Sequence, residues 1–137
     1  MDAQARVKFS PGTKIVMIED DKFLGSLVAK KLIASGCAVT YVDNGEAAMP
    51  VIEAELPNLV LLDLLLPGMS GFDVLSNIKQ NEKTKNIPVI LLSNLGEKKD
   101  IEQGMQLGAV NFLIKATMTV DEILDEAAKA IHGTPII

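Results

Sequence analysis

Five side chains in this sequence are of types that could do chemistry together: Glu19, Asp20, Asp63, Ser93 and Lys115. Asp63 is the only charge between Pro57 and Gly68, a stretch otherwise made of apolar, turn-forming or neutral residues. A carboxylate there is out of place without a partner, because burying an unpaired ionised group is costly. On its own, such an Asp is more often the point where a buried strand reaches the surface than a reactive group. Three other apolar runs end the same way. Ile15-Val16-Met17-Ile18 leads into Glu19-Asp20-Asp21, Val89-Ile90-Leu91-Leu92 into Ser93-Asn94, and Phe112-Leu113-Ile114 into Lys115. Four run ends therefore deliver acids, an acid, a hydroxyl and an amine.

Glu19, Asp20 and Asp63 would repel one another. A like-charge pair about 4 Å apart costs on the order of 4 kcal/mol at an effective dielectric near 20. A hard divalent cation relieves this, and Mg²⁺ typically takes one or two carboxylates, keeps several waters and shares phosphate oxygens. We expect Asp20 and Asp63 as direct ligands with the backbone carbonyl of Leu65, and Glu19 acting mostly through water. An acidic surface patch without metal is the plainer reading, but Lys115 argues against it. Ser93 and Lys115 supply a hydroxyl donor and a fixed positive charge, which suit a phosphoryl group. With Asp63 as nucleophile the product would be an acyl phosphate, and catalysis would be mainly positioning and charge neutralisation.

The elements that must position these groups follow from the hydrophobic pattern. Continuous apolar runs between helical patterns read as strands buried on both faces of a parallel sheet. Strands are expected at 14–19, 37–42, from after Pro57 to Asp63, at 87–92 and at 110–114, the second being less apolar and so at an edge. Between them, Phe23, Leu24, Leu27, Val28, Leu32 and Ile33 recur at helical spacing until Gly36. Asp43 or Asn44 caps a second helix, in which Pro50 should remove a hydrogen bond and kink or shorten it. Ser70 caps a third helix bearing Phe72, Val74, Leu75 and Ile78. The fourth, 97–107, has little apolar surface and an internal Gly104, which makes it the least anchored and a candidate moving part. Thr119 caps the last, whose face is Val120, Ile123, Leu124, Ala127, Ala128 and Ile131, with Gly133 closing it.

Five β–α units with right-handed crossovers give an α/β fold: a five-stranded parallel sheet, order 2-1-3-4-5, with helices on both faces, flavodoxin-like. Its switch point lies between strands 1 and 3, beside Glu19, Asp20 and Asp63. We divide the chain into a loose leader, 1–13, one domain, 14–132, and a short tail, 133–137.

The 137 residues suffice for one core, and 48% hydrophobic with 23% charged residues is ordinary for a globular chain. The net charge of -5 argues against a nucleic-acid surface. Lys30-Lys31 and Lys98-Lys99 read as solvated helix faces. No apolar run approaches a membrane span, and 1–8 lacks the apolar core of a signal peptide. One Cys and one His exclude a Cys/His metal cluster, and Cys37 reads as a small buried residue. His132, at the end of a terminal helix, reads as a surface residue and not as a phosphorelay histidine. A reducing cytoplasm fits all of this.

Across roughly residues 13–132 the chain resembles the receiver domain of two-component response regulators, in the stand-alone form found in chemotaxis. The matching features are Glu19-Asp20, Asp63 within Leu-Leu-Asp-Leu-Leu-Leu-Pro-Gly-Met-Ser-Gly, Ser93 and Lys115. They are spaced 43, 30 and 22 residues apart from Asp20 onwards. The resemblance implies that Asp63 takes a phosphoryl group from a phosphohistidine of a sensor histidine kinase, or of a histidine phosphotransfer protein, with Mg²⁺ required. It implies that Ser93 swings to the phosphoryl oxygen and that Phe112 turns inward, reshaping the face of helix 4, strand 5 and helix 5 that an unnamed downstream protein reads. Phe112 lacks a tyrosine hydroxyl and can report only by packing. Three positions depart from the family. Ala116 stands where a proline in a cis peptide usually follows the lysine, so either the loop bears a cis bond or its path differs. Asn94 replaces a small residue. Leu65 and Leu95 flank the expected phosphoryl group where relatives often carry polar side chains, and should slow an attacking water.

Other functions compete. A Mg²⁺-dependent aspartyl-phosphate phosphohydrolase often carries an acid two residues after its nucleophile, where this chain has Leu65. A flavin or nucleotide binder would have a Gly-, Ser- or Thr-rich loop after strand 1, where this chain has Glu19-Asp20-Asp21-Lys22. A pseudo-receiver acting only as a protein-binding module stays open through Ala116 and Asn94. The chain could also be one part of a larger protein.

Overall fold

A computed structural model describes residues 9–94 and 96–132. In chain order the elements are β1 (Lys14–Ile18), α1 (Lys22–Ala34), β2 (Ala38–Val42), α2 (Ala48–Glu55), β3 (Leu59–Asp63), α3 (Gly71–Gln80), β4 (Val89–Ser93), α4 (Lys98–Gln106), β5 (Asn111–Ile114), a 3-10 turn (Lys115–Thr117) and α5 (Val120–His132). All strand pairs are parallel, and the sheet order is β2-β1-β3-β4-β5. This is the expected α/β fold with β2 at an edge. Among the described residues, no helix is long and apolar enough to cross a membrane.

Alternation along the strands divides the core into two layers, since successive side chains point to opposite faces. Ile15, Met17, Leu59, Leu61, Ile90 and Leu92 pack on the α1 and α5 side. Val16, Ile18, Val60, Leu62, Val89 and Leu91 pack on the side of α2 and α3. β3 and β4 are buried along their whole length, which is why their sequences are apolar without interruption.

The starts of α1, α3 and α5 carry side-chain caps. Asp21 accepts from the Leu24 amide at 3.2 Å, and Ser70 accepts from the Asp73 amide at 3.3 Å. Thr119 and Glu122 form a reciprocal capping box, at 3.1 and 2.8 Å. Asn44 accepts from the Ala47 amide at 2.9 Å ahead of α2, but neither it nor Asp43 caps that helix as expected: the N-cap is Ala47, which makes no side-chain cap hydrogen bond. Because α2 begins only at Ala48, Pro50 falls in its first turn, where an amide would have no intrahelical acceptor. Pro50 thus removes no intrahelical hydrogen bond, contrary to the expectation from sequence, while the helix is indeed short, starting at Ala48.

Two further expectations are corrected. In α1 only Gly25, Val28 and Leu32 are buried, while Phe23 is 81% exposed and Leu27 and Ile33 also face outward. The apolar residues wrap too far round the helix for one sheet face to cover them. The described end of the supposed leader is packed: Phe9 is 1% exposed within the α1/α5 layer. The amide of Gly12 donates to Gly36 O at 2.9 Å, and that of Ala38 to Thr13 O at 2.8 Å. A lone Phe in a polar segment carries no periodicity to announce this. α4 buries only Gly104, in keeping with its thin apolar face. Leu95, Gly133 and the tail to Ile137 lie outside the described residues.

Candidate functional site

The carboxyl ends of β1, β3, β4 and β5 lie along one edge of the sheet, and the register brings their terminal residues side by side. Ile18 pairs with Leu62, Asp63 with Leu92, and Ser93 with Ile114. Each strand therefore stops within about one residue of its neighbour, and the residues that follow must share one mouth.

Glu19, Asp20 and Asp63 each offer a carboxylate oxygen to a group in which all three atoms lie within 4.8 Å of one another. Glu19 is wholly buried and Asp63 nearly so, while Asp20 faces solvent. The Lys115 ammonium donates to both Glu19 oxygens at 3.1 Å and to Asp63 Oδ2 at 3.3 Å. Asp63 Oδ1 accepts from the Leu65 amide at 3.3 Å, and Glu19 Oε2 accepts from the Asp21 amide at 3.0 Å. Ser93 is 5% exposed, on the strand beside Asp63. The structure thus brings Glu19, Asp20, Asp63 and Lys115 into contact, with Ser93 on the adjoining strand and Leu65 bound to Asp63 through its amide. The Leu65 side chain itself is 70% exposed.

Local sequence explains the placement. Gly71, at the start of α3, donates its amide to Leu64 O at 2.8 Å, and a Cβ there would collide with the backbone of Asp63 and Leu64. Only glycine lets α3 close on the end of β3 this tightly. Lys115 opens the 3-10 turn, and its bond to Ala116 is trans, since no peptide among the described residues is cis. Of the two alternatives left by Ala116, the structure has the altered path, and Lys115 still reaches both acids.

The electrostatics reflect crowded acids. Burial first, then the hydrogen bond and charge of Glu19, push the Asp63 carboxyl up to about 6, against the pull of Lys115 and the Leu65 amide. Burial, followed by Asp63, also raises Asp20. Burial would lower Lys115, but the negative charges of Asp63 and Glu19 outweigh it and hold the ammonium above its ordinary value.

Phe112 is half-buried against the α2/α3 layer, paired in register with Leu91. Its ring lies beneath α4, where a Cβ on Gly104 would stand 3.5 Å away. Tyr41 went unnoticed in the sequence. Its hydroxyl donates to the backbone carbonyl of Glu19 at 2.8 Å. The one advance signal was Gly25, a glycine inside a helix, above which the Tyr41 ring lies.

The family model described as the response regulator receiver domain matches residues 15–128. The phosphate regulon transcriptional regulatory protein PhoB of Rhizobium meliloti is 32% identical over 106 residues, 77% of this chain and 47% of PhoB. The BeF3-activated receiver domain of Klebsiella pneumoniae RstA is similar with a TM-score of 0.80 and 29% identity, over 88% of this chain and 99% of that one. The Mn(2+)-bound form of response regulator Rcp1 has a TM-score of 0.74 and 31% identity, over 85% of this chain and 92% of that one. The chain spans between about a quarter and a half of the length of the curated relatives it matches.

Proposed function

Because the chain belongs to the response regulator receiver domain family, we propose that it is a phosphoacceptor switch in which Asp63 receives a phosphoryl group from a histidine kinase or a histidine phosphotransfer protein. The observation that carries this is the Lys115 ammonium shared between Glu19 and Asp63, with Asp20 beside them at the open side. One buried cation does not balance three carboxylates, so the cluster suits a further positive charge. Every donor is a hard oxygen, which fits Mg²⁺.

Asp20, Asp63 and Glu19 would hold Mg²⁺, with the Leu65 carbonyl as a further oxygen. When bound, the ion would neutralise charge on the transferred group. The chain's own part is defined by its residues. An Asp63 oxygen attacks phosphorus, and the P–N bond of the donor phosphohistidine breaks. Lys115 supplies a fixed positive charge as a carboxylate with one negative charge becomes an acyl phosphate with about two. Ser93 donates its hydroxyl to a phosphoryl oxygen. Phe112, on β5 beneath α4, carries the change to the α4–β5–α5 face, which a downstream protein reads. Phosphoryl transfer to and from Asp63 is the chain's own chemistry, with no external substrate turned over, and the cytoplasm is its setting.

We take 14–132 as the receiver unit, with Phe9 of the preceding segment packed into its core, acting as a single-domain regulator that contacts neither nucleic acid nor membrane. The greater length of the curated relatives favours one second reading, an output domain in a longer polypeptide. The mass of the protein isolated from its own cells decides between them. Incubation with Mg²⁺ and acetyl phosphate, followed by intact mass, tests the central claim. We expect one added phosphoryl group in the wild type and none in Asp63→Asn. No labelling of either would leave a protein-binding pseudo-receiver, and equal labelling of the variant would place the phosphoryl group on another residue and overturn the role of Asp63.

A further inference from the structure

We propose that Tyr41 is a positioning residue for the divalent-cation site, acting through the peptide that joins Glu19 to Asp20; this rests on the metal reading above. Tyr41 lies on the edge strand β2, opposite Met17 of β1. Its hydroxyl donates to the Glu19 carbonyl oxygen at 2.8 Å, and the Glu19 amide donates to the Val42 carbonyl at 2.9 Å. Both backbone polar groups of Glu19 are therefore held from β2. A peptide unit is planar, so anchoring the Glu19 oxygen also fixes the Asp20 amide and the direction in which residue 20 leaves it. Asp20 is exposed, and packing does little to aim it. Besides its contact with Asp63, its orientation comes from that peptide and from the loop, which the Asp21 amide closes onto Glu19 Oε2 at 3.0 Å.

A second, independent observation concerns α1. Gly25 occupies the helix interior, where glycine is unfavourable relative to alanine. A Cβ there would stand 2.6 Å from Tyr41 Cε1 and 2.8 Å from its hydroxyl oxygen. The helix omits a side chain at the place where the ring crosses to reach Glu19. Partners one step removed from metal ligands commonly alter affinity by 10–100-fold, because they aim the ligands.

The test uses the full chain with Mn²⁺ as the probe, the free ion being followed by electron paramagnetic resonance. Tyr41→Phe should raise the Mn²⁺ dissociation constant roughly tenfold. Its melting temperature in EDTA should stay near that of the wild type, while the increment gained on adding Mg²⁺ shrinks. Labelling by acetyl phosphate should fall at limiting Mg²⁺ and recover at saturating Mg²⁺. Gly25→Ala keeps the hydroxyl but displaces the ring, and should weaken Mn²⁺ binding likewise; it also serves should Tyr41→Phe fail to fold. Wild-type Mn²⁺ affinity in either folded variant overturns the proposal. So does an equal loss of melting temperature with and without metal, which would make the bond merely structural. A wild-type chain that takes up no Mn²⁺ overturns the metal reading instead.

Discussion

Asp63 sits in a site that disfavours its own charge. A carboxyl pushed up to about 6 from 3.8 binds its proton more tightly folded than unfolded. The stability this contributes is present below pH ~4 and is lost as pH rises through about 6. Asp20 is shifted in the same direction, whereas the raised Lys115 changes stability only in strongly alkaline solution. In EDTA, Asp63→Asn should therefore be more stable than the wild type at pH 7.5, by roughly 1–3 kcal/mol, and the gap should close by pH 4. Thermal melts at both pH values measure this, and a variant less stable at pH 7.5 contradicts it. Mg²⁺ should stabilise the wild type and leave the variant little changed.

Leu65 is the other residue whose chemistry can be read singly. Its amide is bound to Asp63 while its side chain lies open at the mouth. Leaning over a phosphoryl group, that side chain would hinder water, so phospho-Asp63 should decay slowly. In Mg²⁺ buffer, Leu65→Asn should shorten the lifetime about three- to tenfold, or roughly 0.7–1.4 kcal/mol of barrier. Equal decay of the two proteins would dismiss the shielding idea. Leu95, paired with it in the sequence reading, lies outside the described residues.

Among the elements, α2 carries local strain at its end. Leu56, its C-cap, has φ 46°, a left-handed conformation that glycine and asparagine adopt more readily than leucine. The side chain is half exposed, so little packing is lost on replacing it. Leu56→Asn should stabilise by about 1 kcal/mol, or around 3–5 °C in melting temperature. An unchanged or lower melting point would show that the leucine contacts outweigh the strain. The same helix shows what sequence could and could not disclose. The parallel strands were legible because burial on both faces leaves unbroken apolar runs. The cluster of acids and Lys115 was legible because parallel strands deliver their ends to one edge. The fit of Pro50 was not, since it depends on where α2 begins. The contribution of Tyr41 was hidden because its acceptor is a backbone carbonyl, which leaves no mark on residue type.

At the scale of the whole molecule, the sheet separates the two core layers, and the acidic mouth lies at one of its edges. β3 and β4 are buried throughout, whereas the one fully buried residue of α4 is Gly104, beside Phe112. A change at Asp63 thus has a soft outlet on the α4 side and stiff walls elsewhere. The opposite layer has its own dependence. Phe9, five residues before β1, is among its fully enclosed side chains. Emptying an aromatic site of this kind costs about 3–5 kcal/mol. Anyone trimming the gene to the first strand would amputate a keystone: a fragment starting at Lys14 should melt well below the full chain, and Phe9→Ala in the intact protein should reproduce most of that loss.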